Sequence, residues 1–148
     1  MSHERLQAAK AIASLVTRIH IEVPVRPTEN EAKVKVAVLN VFPDATFVIN
    51  GETLVAEAVS LDKLRELFRT QRIRDTARKV LRNSRVGVEI RFSLNKQAAF
   101  MHRANFAPPS PMGQIDVTIE DEAPDSIIDF LTGKAATKND SSTNAELR

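Results

Sequence analysis

Apolar residues change their spacing along this chain in a set order, and that order restricts the fold more than any single motif. Ile19, Ile21, Val23 and Val25 alternate, the period of a strand with one buried face, and Pro24 and Pro27 end the run. Val34, Val38 and Val41 then fall three and four apart, as on one face of a helix. Thr28-Glu29-Asn30-Glu31 reads as a capping box that starts this helix near Glu29, and Phe42-Pro43-Asp44 stops it. "TFVINGETLVAEAV" restores the two-residue period on both sides of Asn50-Gly51, a pair that favours a tight hairpin turn. Ser60 can cap a second helix, with Asp62 in its first turn to suit the dipole. Val86 to Leu94 and Gln114 to Glu120 are further strands, the latter through Ile115, Val117 and Ile119. Pro124-Asp125 opens a last helix that turns Ile127, Ile128 and Leu131 inward and ends at Gly133.

This order predicts an α+β fold: a two-layer sandwich with helices on one face of a largely antiparallel sheet. Its core is of βαββαβ type, with a further strand and helix, and the ferredoxin-like strand order is the simplest version. Three segments are expected. Residues 1–18 form a helical extension, with Leu6, Ala9, Ile12 and Val16 on one stripe; 19–133 form a single α+β domain; 134–148 are polar and form a disordered tail.

The second helix carries an internal conflict. Leu61, Leu64, Leu67 and Phe68 share one face, whereas Ile73, Ala77, Val80 and Leu81 share another. At about 100° per residue the two stripes point well apart, so one straight helix would expose one of them. A break, bend or bulge is therefore expected around Arg69-Thr70-Gln71.

The same segment concentrates charge. From Leu61 to Arg85 there are nine cations against three anions, or +6 in 25 residues; the whole chain carries +2, so the remainder carries −4. Seven of the nine cations are Arg, whose planar fork suits phosphates and carboxylates. Arg72, Arg78, Lys79 and Arg82 are expected opposite the second apolar stripe, facing outward together. Such a field suits an anionic partner, although charge alone is more often the mark of a solvated helix face.

Other chemistries find little support. The chain contains no cysteine, which removes disulfides, thiolate metal sites and Cys nucleophiles and fits a cytoplasmic protein. No apolar run is long enough to span a membrane, and no signal-peptide pattern opens the chain. The four glycines are isolated, so no phosphate-cradling loop is formed. His3, His20 and His102 have no ligand spacing, and no serine sits in a nucleophile elbow. Neither a metal, a cofactor nor a catalytic residue is expected, and a non-enzymatic binding protein is the reading that remains.

"RFSLNKQAAFMHRANF", Arg91 to Phe106, places Asn95, Lys96 and Gln97 directly after a strand and ahead of Arg103. Amides and Lys can contact phosphates, riboses and base edges, and Phe100 or Phe106 can offer a stacking face. The alternative is that the amides tie down a turn while both rings sit in the core. With no Tyr or Trp and only seven Phe, a broad stacking platform is not expected.

"RPTENEAKVKVAVLNVFPD", "LRELFRTQRIRDTARKVL" and "FSLNKQAAFMHRANF…MGQIDVTI" resemble, in this order, an uncharacterised archaeal protein family. That family is described as predicted RNA-binding, or as candidate exosome-associated subunits, with a fold likened to ribosomal protein L5. The resemblance covers Ile19 to Leu131 and sets Gln71, Arg72, Asp75, Thr76, Arg78, Asn95, Lys96 and Gln97 at signature positions. It implies an RNA partner, and by extension a larger RNA-processing complex; a homodimer stays open. The expected RNA surface combines Arg72, Arg78, Lys79 and Arg82 with Asn95, Lys96, Gln97 and Arg103. The competing expectation is a subunit whose basic helix docks an acidic protein.

Overall fold

The computed structural model describes residues 17–50, 52–108 and 113–133. The expected N-terminal helix and C-terminal tail lie outside these residues, except that Arg18 opens the first strand rather than closing a helix.

In chain order the elements are β1 (Arg18–Pro24), α1 (Glu31–Val41), β2 (Thr46–Asn50), β3 (Thr53–Ala58), α2 (Asp62–Thr70), α3 (Arg74–Asn83), β4 (Arg85–Val86), β5 (Glu89–Leu94), α4 (Lys96–Phe100), β6 (Ile115–Glu120) and α5 (Pro124–Thr132). Six strands form one sheet in the order β2-β3-β1-β6-β5-β4, and every neighbouring pair is antiparallel. The helices cover one face, so the molecule has the two layers that the spacing predicts.

Strand order departs from the ferredoxin-like expectation. There β5 would lie beside β1, but β6 pairs with both, setting Ile119 opposite Ile19 on one side and Ile90 on the other. Ile115, Val117 and Ile119 are at most 1% exposed, which suits a central strand. Alternation reveals that a strand has one buried face; it carries no information about which neighbours complete its ladder.

Alternate residues of β1, β3, β5 and β6 point into the helical layer and meet Val34, Val38, Leu64, Phe68, Leu81, Ile128 and Leu131. Each fully buried Leu, Ile or Phe contributes roughly 1.5–3 kcal/mol, so this interface holds the layers together. The helix at Thr28-Glu29-Asn30-Glu31 starts two residues later than expected, at Glu31. Asn30 is its N-cap and accepts from the amides of Ala32 and Lys33, leaving the Glu29 side chain for another role.

The two apolar stripes resolve as anticipated, with the break two residues further on. α2 ends at Thr70, α3 begins at Arg74, and Arg72 adopts a left-handed φ of 59° between them. Phe68 is fully buried and Ile73 packs half-buried against the core. The break thus lets α2 bury Leu64, Leu67 and Phe68 while α3 buries Ala77 and Leu81. Gly133 closes α5 with a φ of 69°, the left-handed stop expected of a glycine there.

Candidate nucleic-acid interface

The two faces of the sandwich differ in charge. On the open side of the sheet the outward positions of β1, β3, β5 and β6 carry five carboxylates (Glu22, Glu57, Glu89, Asp116 and Glu120) against Arg18 and Arg91. Glu22 sits directly opposite Asp116 and Glu89 opposite Glu120, pairings that repel. His20 partly relieves this, lying 2.9 Å from the Glu22 carboxylate and 2.6 Å from that of Glu57. Hydrogen bonds to Glu22 and then Glu57 raise the imidazole above its ordinary pKa, against a smaller opposing effect of burial. No outward-facing residue of these four strands is Phe, Tyr or Trp. This face repels phosphate and offers no such ring for a base to stack on.

Cations gather on the other side, though not all remain available. Arg78, expected to face outward, instead reaches across to α5, its guanidinium donating to Asp129 at 2.8 Å and to the Thr132 hydroxyl at 2.9 Å. Its position one turn after Arg74 puts it on the flank that packs on α5, not on the far side. Arg65 is also engaged, donating to the Phe130 carbonyl and lying over that ring at 5.0 Å. Arg82 lies beside Arg85, Asp125 and Asp129 along the same flank, and Lys79 points away from the core. Arg69, Arg72, Lys79, Arg82 and Arg103 are exposed, and none of them makes an ion pair among the described residues.

Asn95-Lys96-Gln97, expected as a loop, is the start of a helix. Asn95 caps α4 by accepting the Ala98 amide at 2.8 Å. The Lys96 ammonium is nearly enclosed: it donates to both Glu29 carboxylate oxygens, at 3.0 and 2.9 Å, and to the Pro24 carbonyl at 2.9 Å. Burial works to raise the Glu29 carboxyl, but the Arg26 amide and the Lys96 ammonium outweigh it and hold it below its ordinary value. Lys96 therefore straps α4 to the turn before α1. Of the three residues, Gln97 alone points a side chain outward that makes no hydrogen bond among the described residues.

The phenylalanines separate. Phe106 stacks on Phe68 at 5.6 Å and meets Phe92 edge-on at 5.8 Å, seated by a bridge between Leu94 and Phe106. Phe100 remains on the surface at 38% exposure, with the Lys33 ammonium 5.9 Å from its ring centre.

Gln71 joins the two signature segments. Its side-chain amide accepts from the Ala104 backbone N–H at 2.7 Å and donates to the Ala104 carbonyl at 3.2 Å and the Asn105 side chain at 3.4 Å. The α2–α3 break and the loop after α4 are thereby held side by side, presenting Arg72 on one and Arg103 on the other. Each also contains a non-glycine residue in the left-handed region, Arg72 at φ 59° and His102 at φ 64°. Strain of this kind concentrates at functional positions. Local spacing gives no sign of the clamp, because its partner is a backbone group 33 residues away.

Among the described residues no group of three His, Asp or Glu side chains could hold a metal, and no helix is long and apolar enough to cross a membrane. A family model described as RNA binding matches residues 18–120. The UPF0201 protein of Sulfurisphaera tokodaii is 44% identical over 131 residues, spanning 82% of this chain and 90% of that protein. The crystal structure of the UPF0201 protein from Methanococcus jannaschii superposes with a TM-score of 0.72 at 35% identity, over 78% of this chain and 92% of that one. A second UPF0201 crystal structure is 43% identical, with a TM-score of 0.68 over 70% of this chain and 82% of its own.

Proposed function

Because the chain belongs to the family marked out by the RNA-binding model and the UPF0201 proteins, we propose that it binds RNA through its helical side. The observation that carries this reading is the opposition of charge across the sandwich. Arg69, Arg72, Lys79, Arg82 and Arg103, exposed and without an ion pair among the described residues, lie on the helical side, whereas the open sheet is acidic and presents no Phe, Tyr or Trp ring from β1, β3, β5 or β6. Arg72 and Arg103 contact phosphates from loops that Gln71 fixes in place, and Lys79 and Arg82 extend the track along α3. Arg78 and Lys96 support the surface from beneath, because their charges are already matched by Asp129 and Glu29. The protein acts as a binder and not as a catalyst, so RNA recovered from its complex stays intact.

Filter binding over a range of salt concentrations tests this. Removing one cation that neutralises a phosphate of a single strand should lower the slope of log affinity against log salt by about 0.7. The combined variant Arg72→Ala, Lys79→Ala, Arg82→Ala and Arg103→Ala should lose close to four such increments while remaining folded. Arg18→Ala with Arg91→Ala, on the open sheet, should leave the slope unchanged. A folded quadruple variant that binds with unchanged slope would reject the surface and favour an acidic protein partner instead.

A further inference from the structure

Between α1 and α4 runs a groove of about 420 Å³, floored by Val34 and Ala37 and walled by Phe100 and Met101. Phe100 and Met101 are 38% and 66% exposed, an unusual pair of neighbours for a solvent-facing surface. Resting on the RNA reading above, we infer that this groove receives one unpaired nucleobase of a single-stranded RNA.

Three groups at the rim match what a base presents. The Phe100 ring offers a stacking surface. The Gln97 amide, unbonded among the described residues, can both donate to and accept from a base edge. Lys33, exposed and without an ion pair among the described residues, carries its ammonium over the Phe100 ring, 5.9 Å from its centre, and an arriving base displaces it toward the accompanying phosphate. An apolar peptide would use the ring and Met101 but would leave the ammonium and the amide without complementary chemistry.

The groove is held open before any ligand arrives. At one end Lys96 and Glu29 tie the first turn of α4 to the segment before α1. At the other, the Asn40 side chain donates to the Ala99 and Phe100 carbonyls, at 3.0 and 3.2 Å, and so fixes the backbone that carries the ring. It is also linked to the basic track through the chain itself. The loop leaving α4 after Phe100 is the one that bears Arg103 and is clamped by Gln71. A strand of RNA lying along the cations can therefore drop a base beside Phe100 without leaving the surface.

The test uses short RNAs carrying 2-aminopurine, whose emission stacking quenches; the chain has no Trp or Tyr to interfere. Wild-type protein should quench a single-stranded probe and bind it more tightly than a duplex of the same sequence. Phe100→Leu keeps the apolar bulk but not the π-face. It should abolish quenching and weaken single-strand binding by about 5- to 150-fold. Its salt slope and duplex affinity should not change, and Phe100→Tyr should restore quenching. Lys33→Ala should lower the slope by about 0.7 while leaving quenching in place. If the wild type binds single-stranded RNA but Phe100→Leu changes neither quenching nor affinity, the base slot is wrong and the RNA surface stands. If the wild type binds neither single-stranded nor duplex RNA, both fall.

Discussion

Replacing Gln71 by Ala removes the side chain that hydrogen-bonds the α2–α3 break to the loop after α4. Two Ala104 backbone groups lose their partner: an amide bonded at 2.7 Å and a carbonyl at 3.2 Å. Ala104 is fully buried, so neither group has a ready alternative in solvent. A buried backbone group left unsatisfied costs about 1–3 kcal/mol. Gln71 itself is half-buried, and water entering its place recovers part of that cost. The expected loss is therefore about 2–3 kcal/mol, or roughly 6–10 °C in Tm for a chain of this size. Gln71→Glu should do no better, since it keeps the acceptor but turns a carboxylate oxygen toward the Ala104 carbonyl. Urea unfolding followed by far-UV circular dichroism gives the difference directly. A loss below about 0.5 kcal/mol, the range of an ordinary surface change, would show that the clamp does not hold the two loops.

Arg72→Gly should separate stability from binding: glycine adopts the left-handed φ without the cost of about 1–2 kcal/mol that Arg bears there. Stability should be unchanged or higher in urea unfolding, while the salt slope of RNA binding falls by about 0.7. Lys96→Met leaves the part-buried Glu29 carboxylate without its cation and should cost about 1–3 kcal/mol at neutral pH, most of it recovered by adding Glu29→Gln. Because the Glu29 carboxyl titrates below its ordinary value, its contribution is present above that value and is lost as pH falls through the folded one. Wild-type and Lys96→Met unfolding midpoints should accordingly converge in acid. His20 titrates above its ordinary value, so its contribution is full below about pH 6.5 and disappears as pH rises through the folded value. The deficit of His20→Gln, read from thermal melts, should be largest in mild acid and absent in alkali.

Much of the fold was legible because its signals are local. The alternation in β1, β5 and β6 marks one-sided burial, and the two stripes between Leu61 and Leu81 could not share a straight helix. The insertion of β6 between β1 and β5 was not legible, since the choice of ladder partner depends on the whole sheet. Charge counting found the basic side but could not tell free cations from engaged ones. Arg78 and Lys96 are matched by Asp129 and Glu29, 51 and 67 positions away, and no spacing rule reaches that far. Asn95 is a different case. An asparagine ahead of Lys-Gln-Ala-Ala is a ready N-cap, but it starts a helix of only five residues, too short for periodicity to show. Phe100 and Phe106 looked equivalent in sequence; the bridge that draws Phe106 onto Leu94 decides between them.

The central claim is that RNA lies on the helical side and avoids the open sheet. Ultraviolet crosslinking of the full chain to single-stranded RNA, followed by mass spectrometry of the attached peptides, tests it most directly. Crosslinks should fall within residues 69–82 and 97–106, with Phe100 among the modified positions. Crosslinks concentrated on the outward residues of β1, β5 and β6, around His20, Arg91 and Thr118, would contradict the account.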